Sequence, residues 1–248
     1  VNDLETEPLA SSGDRMMQRR TAGAVLIAGG FIFFLAEFIA AAAWTNPPYS
    51  YTHHYISNLG VRGPSEAFGQ FMNSPLAWVM NTGFFLFGIT LFIGAAMLRG
   101  LHGRRRWAVL TPAALLAAGG VLLAFFPGSG ETANNAAIDY HALGAFAGIG
   151  GGNILIIVLG RLHRDAGITQ KTGKAMVILG VIGLLALVGF LTLAGSGTNV
   201  LIGLVERGAV YPLLIGLICA GASIRTSTTP EHTRDALPQP GRDHQHGT

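Results

Sequence analysis

Six long apolar runs alternate with shorter polar segments along the chain. They extend from Thr21 to Trp44, from about Pro75 to Leu98, from Trp107 to about Phe126, from about Ala137 to Gly160, from about Ala175 to Ala194, and from about Val200 to Ile224. Each has roughly the ~20 apolar residues that a helix needs to cross a ~30 Å hydrocarbon core. The pattern therefore predicts an all-α polytopic membrane protein, a bundle of six transmembrane helices spanning residues 21–224. The first run exceeds the roughly 7–15 residues of a signal-peptide core. Ala41-Ala42-Ala43 resembles a cleavage site, but an uncleaved first span with Trp44 as its interfacial anchor is the expectation. Pro47-Pro48 ends that helix, because proline lacks the backbone donor and restricts the residue before it. Residues 1–20 and 225–248 have no apolar periodicity and are expected to be disordered tails.

Composition agrees with this reading. Charged residues make up 12% of the 248, half of what a soluble domain carries, at about 25%. The 35 glycines suit helices that approach one another closely in a bilayer. A net charge of +3 does not imply a nucleic-acid partner, because the basic residues are split among short segments beside spans. Arg15, Arg19 and Arg20 precede span one. Arg99, Arg104, Arg105 and Arg106 lie between spans two and three, and Arg161, Arg164, Lys171 and Lys174 between spans four and five. Arg225, Arg234 and Arg242 follow span six. Only Arg62 lies in a segment on the opposite side, and Arg207 falls within span six. The excess of Lys and Arg places both termini in the cytoplasm and predicts a multi-pass protein of the cell (plasma) membrane. The single cysteine, Cys219, lies in an apolar run and is expected to serve packing.

The longest polar connection, Thr45 to Ser74, carries the chemistry most worth following. Helix–helix connections typically need roughly 2–8 residues, so this one is long enough to fold back over the bundle. It contains the adjacent pair His53-His54, followed by Asn58. Polar groups at similar depth stand in the outer halves of the spans: Glu37, Asn81, Asp139, His141, Glu206 and Arg207. Glu37 precedes Trp44 by seven residues, roughly 10 Å at 1.5 Å per residue. A charge in a span costs about 2.5–3.5 kcal/mol, so Glu37 requires a partner, for which Arg207 and His141 are the candidates. Asn153 is the main polar residue of the inner half.

These residues predict an outward polar pocket roofed by His53, His54 and Asn58, with the two loop histidines sharing a site with His141 and Glu206. Membrane lipids are the expected partners, and a lipid headgroup or small polar ligand the expected occupant. A membrane-embedded lipid hydrolase, possibly metal-dependent, is the alternative, with His53, His54, Asp139, His141 and Glu206 carrying the chemistry. A small-solute transporter is a second alternative, disfavoured because little continues the polar path inward. The imidazoles and carboxylates are of the type zinc uses, but no ligand spacing is present, so neither metal nor cofactor is assigned. Ser57 and Ser129 are nucleophile candidates without a Gly-x-Ser-x-Gly elbow, and no phosphate-binding loop appears. Gly148-Ile149-Gly150-Gly151-Gly152 reads as a helix-packing surface. Spans two and three, and four and five, form two similar hairpins, the first ending Phe126-Pro127-Gly128-Ser129-Gly130 and the second Leu193-Ala194-Gly195-Ser196-Gly197. Oligomeric state stays open.

Four short motifs carry a family resemblance: Ile56-Ser57-Asn58-Leu59-Gly60, Asn81-Thr82-Gly83-Phe84, Phe126-Pro127 followed by His141, and Glu206-Arg207 followed by Tyr211-Pro212. Over residues 20 to 224 the chain resembles the bacterial and archaeal domain of unknown function 998 family. That resemblance implies a six-span integral membrane protein and no established activity. The chain departs from the family between Gly128 and Asp139, where an acidic residue is expected sooner after Phe126-Pro127. Glu131 and Asp139 both stand open for that role.

Overall fold

The structure, a computed structural model, describes residues 12–67, 69–128, 138–197 and 200–227. Six long helices dominate: α1 (Ser12–Ala43), α2 (Ala77–Ala96), α3 (Gly103–Phe125), α4 (Tyr140–Arg161), α5 (Gln170–Gly195) and α6 (Ile202–Thr226). All six are long and apolar enough to cross a membrane. The protein is an all-α, multi-pass membrane protein. Each span falls on a predicted run, with ends shifted by a few residues. The exception is α1, which begins nine residues before Thr21, so Ser12–Arg20 is helical although it lacks apolar periodicity. Residues 1–11 and 228–248 of the two expected tails, together with Ser129 and Glu131, lie outside the described residues.

The helices stand in a ring in chain order. Each packs on its sequence neighbours, α6 closes on α1, and α4 also touches α6 across the middle. Gly23 of α1 lies against Gly221 and Arg225 of α6, so the helical chain begins and ends at the same end of the bundle.

Small residues make these contacts. Between lipid-bathed helices there is little hydrophobic drive, so close van der Waals approach must hold the bundle. Gly119 of α3 faces the backbone of Gly144 and Gly148 on α4, and Gly151 faces Pro112 and Leu115. The glycine run of α4 is thus a packing seam, as its composition predicts. Asn153 is also used for packing: its Nδ2 donates to Ile149 O and to Ala209 O of α6, both at 2.9 Å. Cys219 departs from expectation, lying exposed on the outer face of α6 rather than in the core.

The connection between α1 and α2 folds over one end of the ring. It holds a short 3-10 helix, Ser57–Gly60, and an antiparallel hairpin pairing β1 (Ser65–Ala67) with β2 (Gln70–Met72). Ile56, Leu59, Val61 and Met72 are buried beneath it. Trp44 is buried there too, 2% exposed, and so is not the interfacial anchor its position suggested. The lid covers Trp44, while Trp78 and Trp107 remain exposed.

Candidate functional site

The lid is tied down by two consecutive residues of α6. Arg207 points toward α1 and the start of the lid. Its Nε and Nη2 both donate to Glu37 Oε1, at 3.0 and 2.9 Å. Nη2 also reaches Tyr49 Oη at 2.6 Å, and Nη1 reaches the carbonyls of Tyr51, His54 and Gly203. The guanidinium lies over the rings of Tyr49 and Tyr51 as well. Hydrogen bonds to a charged group contribute about 1.5–3 kcal/mol each, so several of them offset an insertion cost of about 2.5–3.5 kcal/mol. Of the two partners expected for Glu37, the structure selects Arg207, and Tyr211 Oη adds a third bond to the same carboxylate oxygen at 3.1 Å.

Glu206 points the other way. Its carboxylate accepts from the backbone N–H groups of Ile56 and Ser57, which open the 3-10 helix and lack partners within it. The dipeptide therefore holds the lid by opposite means, Arg207 through lid carbonyls and Glu206 through lid N–H groups. Leu204 N donates to Thr52 O at 3.2 Å. Gly203 allows this approach, since a Cβ there would strike the carbonyls of Tyr51 and His54. The far side of the lid is held by Asn81, whose Nδ2 donates to Gly60 O at 3.0 Å. Inside the lid, Asn58 Nδ2 donates to Gln70 Oε1, and Gln70 Nε2 donates to His53 O.

A cavity of about 330 Å³ opens beside this clamp, between the lid and the adjacent ends of α4, α5 and α6. Ser57, Asn58, Asp139, His141 and Glu206 supply its polar wall, and Phe146, Ile149, Leu187, Phe190 and Leu191 its apolar wall. Asp139 caps α4, accepting from Ala142 N at 2.9 Å. His141 Nδ1 lies 2.9 Å from Phe126 O. A carbonyl only accepts, so Nδ1 carries a hydrogen, and when the ring is neutral its lone pair is on Nε2. A second, smaller cavity of about 40 Å³ continues into the bundle and shares Ser57, Ala145, Ile149 and Glu206 with the first.

Of the nine candidate residues, the structure brings Asn58, Asp139, His141 and Glu206 onto the cavity wall. Glu37, Arg207 and Asn81 are anchors of the lid. The loop histidines do not join the site as expected. His54 packs in a three-ring cluster with Trp44 and Tyr49, ring centroids 5.4 and 5.3 Å away and 5.5 Å between those two, and its Nδ1 accepts from Ser50 N. Burial, with His53 and Arg207 nearby, lowers its pKa and keeps it neutral. It meets α6 only through its carbonyl. His53 is on the outer surface, its ring within hydrogen-bonding distance of Thr52 and Ser50. Of the five residues assigned to a hydrolase, Asp139, His141 and Glu206 line the cavity and His53 and His54 do not, and among the described residues no group of three or more potential ligands is placed to hold a metal. Sequence reasoning missed Tyr49, Tyr51 and Gln70. The Tyr49-x-Tyr51 pair close to His53-His54 was the available signal for an aromatic cluster.

The motifs that carry the resemblance converge here: Ser57 meets Glu206, Asn58 lines the same cavity, Asn81 holds Gly60, His141 meets Phe126 O, and Tyr211 joins Glu37 and Arg207. A family model described as protein of unknown function (DUF998) matches residues 27–223, most of the chain. The chain belongs to the DUF998 family. No curated protein and no solved structure matches it. In this DUF998 protein the matched region takes in all of the lid, its clamp and the cavity.

Proposed function

We propose that this protein binds a membrane lipid in the outer leaflet of the plasma membrane, with the headgroup under the lid and the acyl chain between α4 and α5. The observation that carries this reading is the division of the cavity wall. Asp139 and His141 stand at the start of α4 and Ile149 eight residues beyond His141, about 12 Å along the helix axis. Over that length the α4 side of the wall changes from the carboxylate of Asp139 and the imidazole of His141 to Phe146 and Ile149, and Leu187 of α5 faces the same apolar part. An amphiphile matches such a gradient, whereas a wholly polar solute would leave the apolar wall unfilled. Phe146 and Leu191 are exposed at its edge, so the apolar part is accessible from the lipid-facing side. The cavity lies at the end of the bundle away from the basic turns, which the charge distribution assigns to the outside.

Ala145 lines both cavities, and a larger side chain there would fill them. Protein purified from its native membrane in a mild detergent should retain about one equivalent of lipid by mass spectrometry, the occupancy of a single saturated site. Ala145→Phe should lose that lipid while remaining folded. Retention by both proteins, or by neither, would overturn the reading.

A further inference from the structure

Resting on that reading, we infer that the headgroup the pocket selects is a protonated amine. Three features of the wall point to it. Among the described residues, the acidic and imidazole side chains that reach the cavity are Asp139, Glu206 and His141. In its neutral form the histidine has a lone pair on Nε2, beside Gly128 on the cavity wall, because its hydrogen is on Nδ1 and used on Phe126 O. Basic side chains are kept away: among the described residues no Lys or Arg lines the cavity. Arg207, adjacent to Glu206 in sequence, is turned to the opposite face and its donors are occupied by Glu37, Tyr49 and lid carbonyls. Finally, Tyr55 and Phe190 meet edge to face on the wall, ring centroids 5.9 Å apart, and offer aromatic surface to a cation.

A phosphate or sulfate head would face two carboxylates with no basic residue on the wall. A hydroxyl head would meet the same acceptors with a single donor. An ammonium brings three donors and the complementary charge. Glu206 already caps the lid, so Asp139 and His141 are the groups freest to respond to the head.

The test uses three ten-carbon probes that differ only at the head: decylamine, decanol and decyl phosphate. Binding to the full chain in phosphatidylcholine nanodiscs is measured at pH 7 as retention of isotope-labelled probe above that of protein-free nanodiscs. Decylamine should bind at least about tenfold more tightly than either other probe, the equivalent of about 1.4 kcal/mol. Asp139→Asn should reduce the amine's advantage over decanol severalfold, since Asn keeps the helix cap and removes the charge. Ala145→Phe should abolish this protein-dependent retention of all three, which separates pocket binding from bilayer partitioning. Equal binding of decanol and decylamine to the wild-type protein, or tighter binding of decyl phosphate, would overturn the amine inference and leave the lipid reading standing. Failure of all three probes, together with absence of co-purified lipid, would remove both.

Discussion

Arg207 shows how one side chain can be unfavourable in isolation and stabilising in place. It is 5% exposed and Glu37 is fully buried, so neither charge is hydrated and each depends on the other. That Glu37 required a partner was legible from its depth in span one, and Arg207 was one of two candidates. The choice between Arg207 and His141 was not legible, because it depends on α6 closing the ring against α1. Glu37→Gln should therefore be destabilising. Removing one partner of a buried pair costs about 3–5 kcal/mol, and glutamine should fall near the lower figure because its oxygen still accepts from Arg207 and Tyr211. Tyr211→Phe, which removes one bond to the same oxygen, should cost less, about 0.5–1.5 kcal/mol. Thermal unfolding of the purified variants would check the order. A Glu37→Gln variant as stable as wild type would show that the ion pair contributes nothing to the fold. His54 illustrates the opposite error. Two adjacent histidines invite a chemical role, yet His54 serves as one ring of a cluster with Trp44 and Tyr49, its acceptor nitrogen on Ser50, and only contacts made in the folded lid reveal it.

The helices were legible as elements because each is a long apolar run bounded by prolines, glycines or basic turns. The lid was legible only as an excess of length. Its 3-10 helix depends on the distant carboxylate of Glu206, and its hairpin on Gln70 reaching Asn58 and His53, so local sequence carries little of either. Within the helices, glycine density predicted close packing without saying which glycines make it. Gly119 and Gly150 separate the two cases. A Cβ on Gly119 would strike the backbone of Gly144 and Gly148, whereas one on Gly150 meets nothing within 4 Å. Gly150→Ala should be neutral or stabilising by up to about 1 kcal/mol, through lower backbone entropy in the unfolded chain. Gly119→Ala should destabilise by about 1–3 kcal/mol, the cost of overpacking where backbone cannot yield. Equal midpoints in a thermal unfolding comparison of the two variants would mean that the α3–α4 seam is looser than these distances require.

At the scale of the molecule, the basic residues that define topology gather at one end. Arg105 of α3 pairs with Asp165, just beyond α4, at 2.9 Å, Arg19 of α1 lies over Gly167, and Arg225 of α6 lies by Gly23 of α1. The Arg105–Asp165 pair is exposed and contributes little to stability, but it marks the turns after α2 and α4 as neighbours. The lid, the clamp and the cavity occupy the other end. A sequential ring of six antiparallel spans requires this division, since an even number of crossings returns the chain to its starting side. The direction across the membrane follows from the positive-inside bias, which concentrates 14 of the 16 Lys and Arg residues in segments assigned to one side. This gives the last prediction. With Cys219→Ser to remove the native thiol, Glu66→Cys on the exposed face of the lid hairpin should react with a membrane-impermeant maleimide added to intact cells. A cysteine placed at Arg164 should react only after the cells are opened. A reporter fused after Arg225 should read cytoplasmic in the same cells. Labelling of positions 66 and 164 from one side would contradict the ring itself. The reverse pattern, with position 164 labelled from outside, would keep the ring and invert it, moving the lipid site to the inner leaflet.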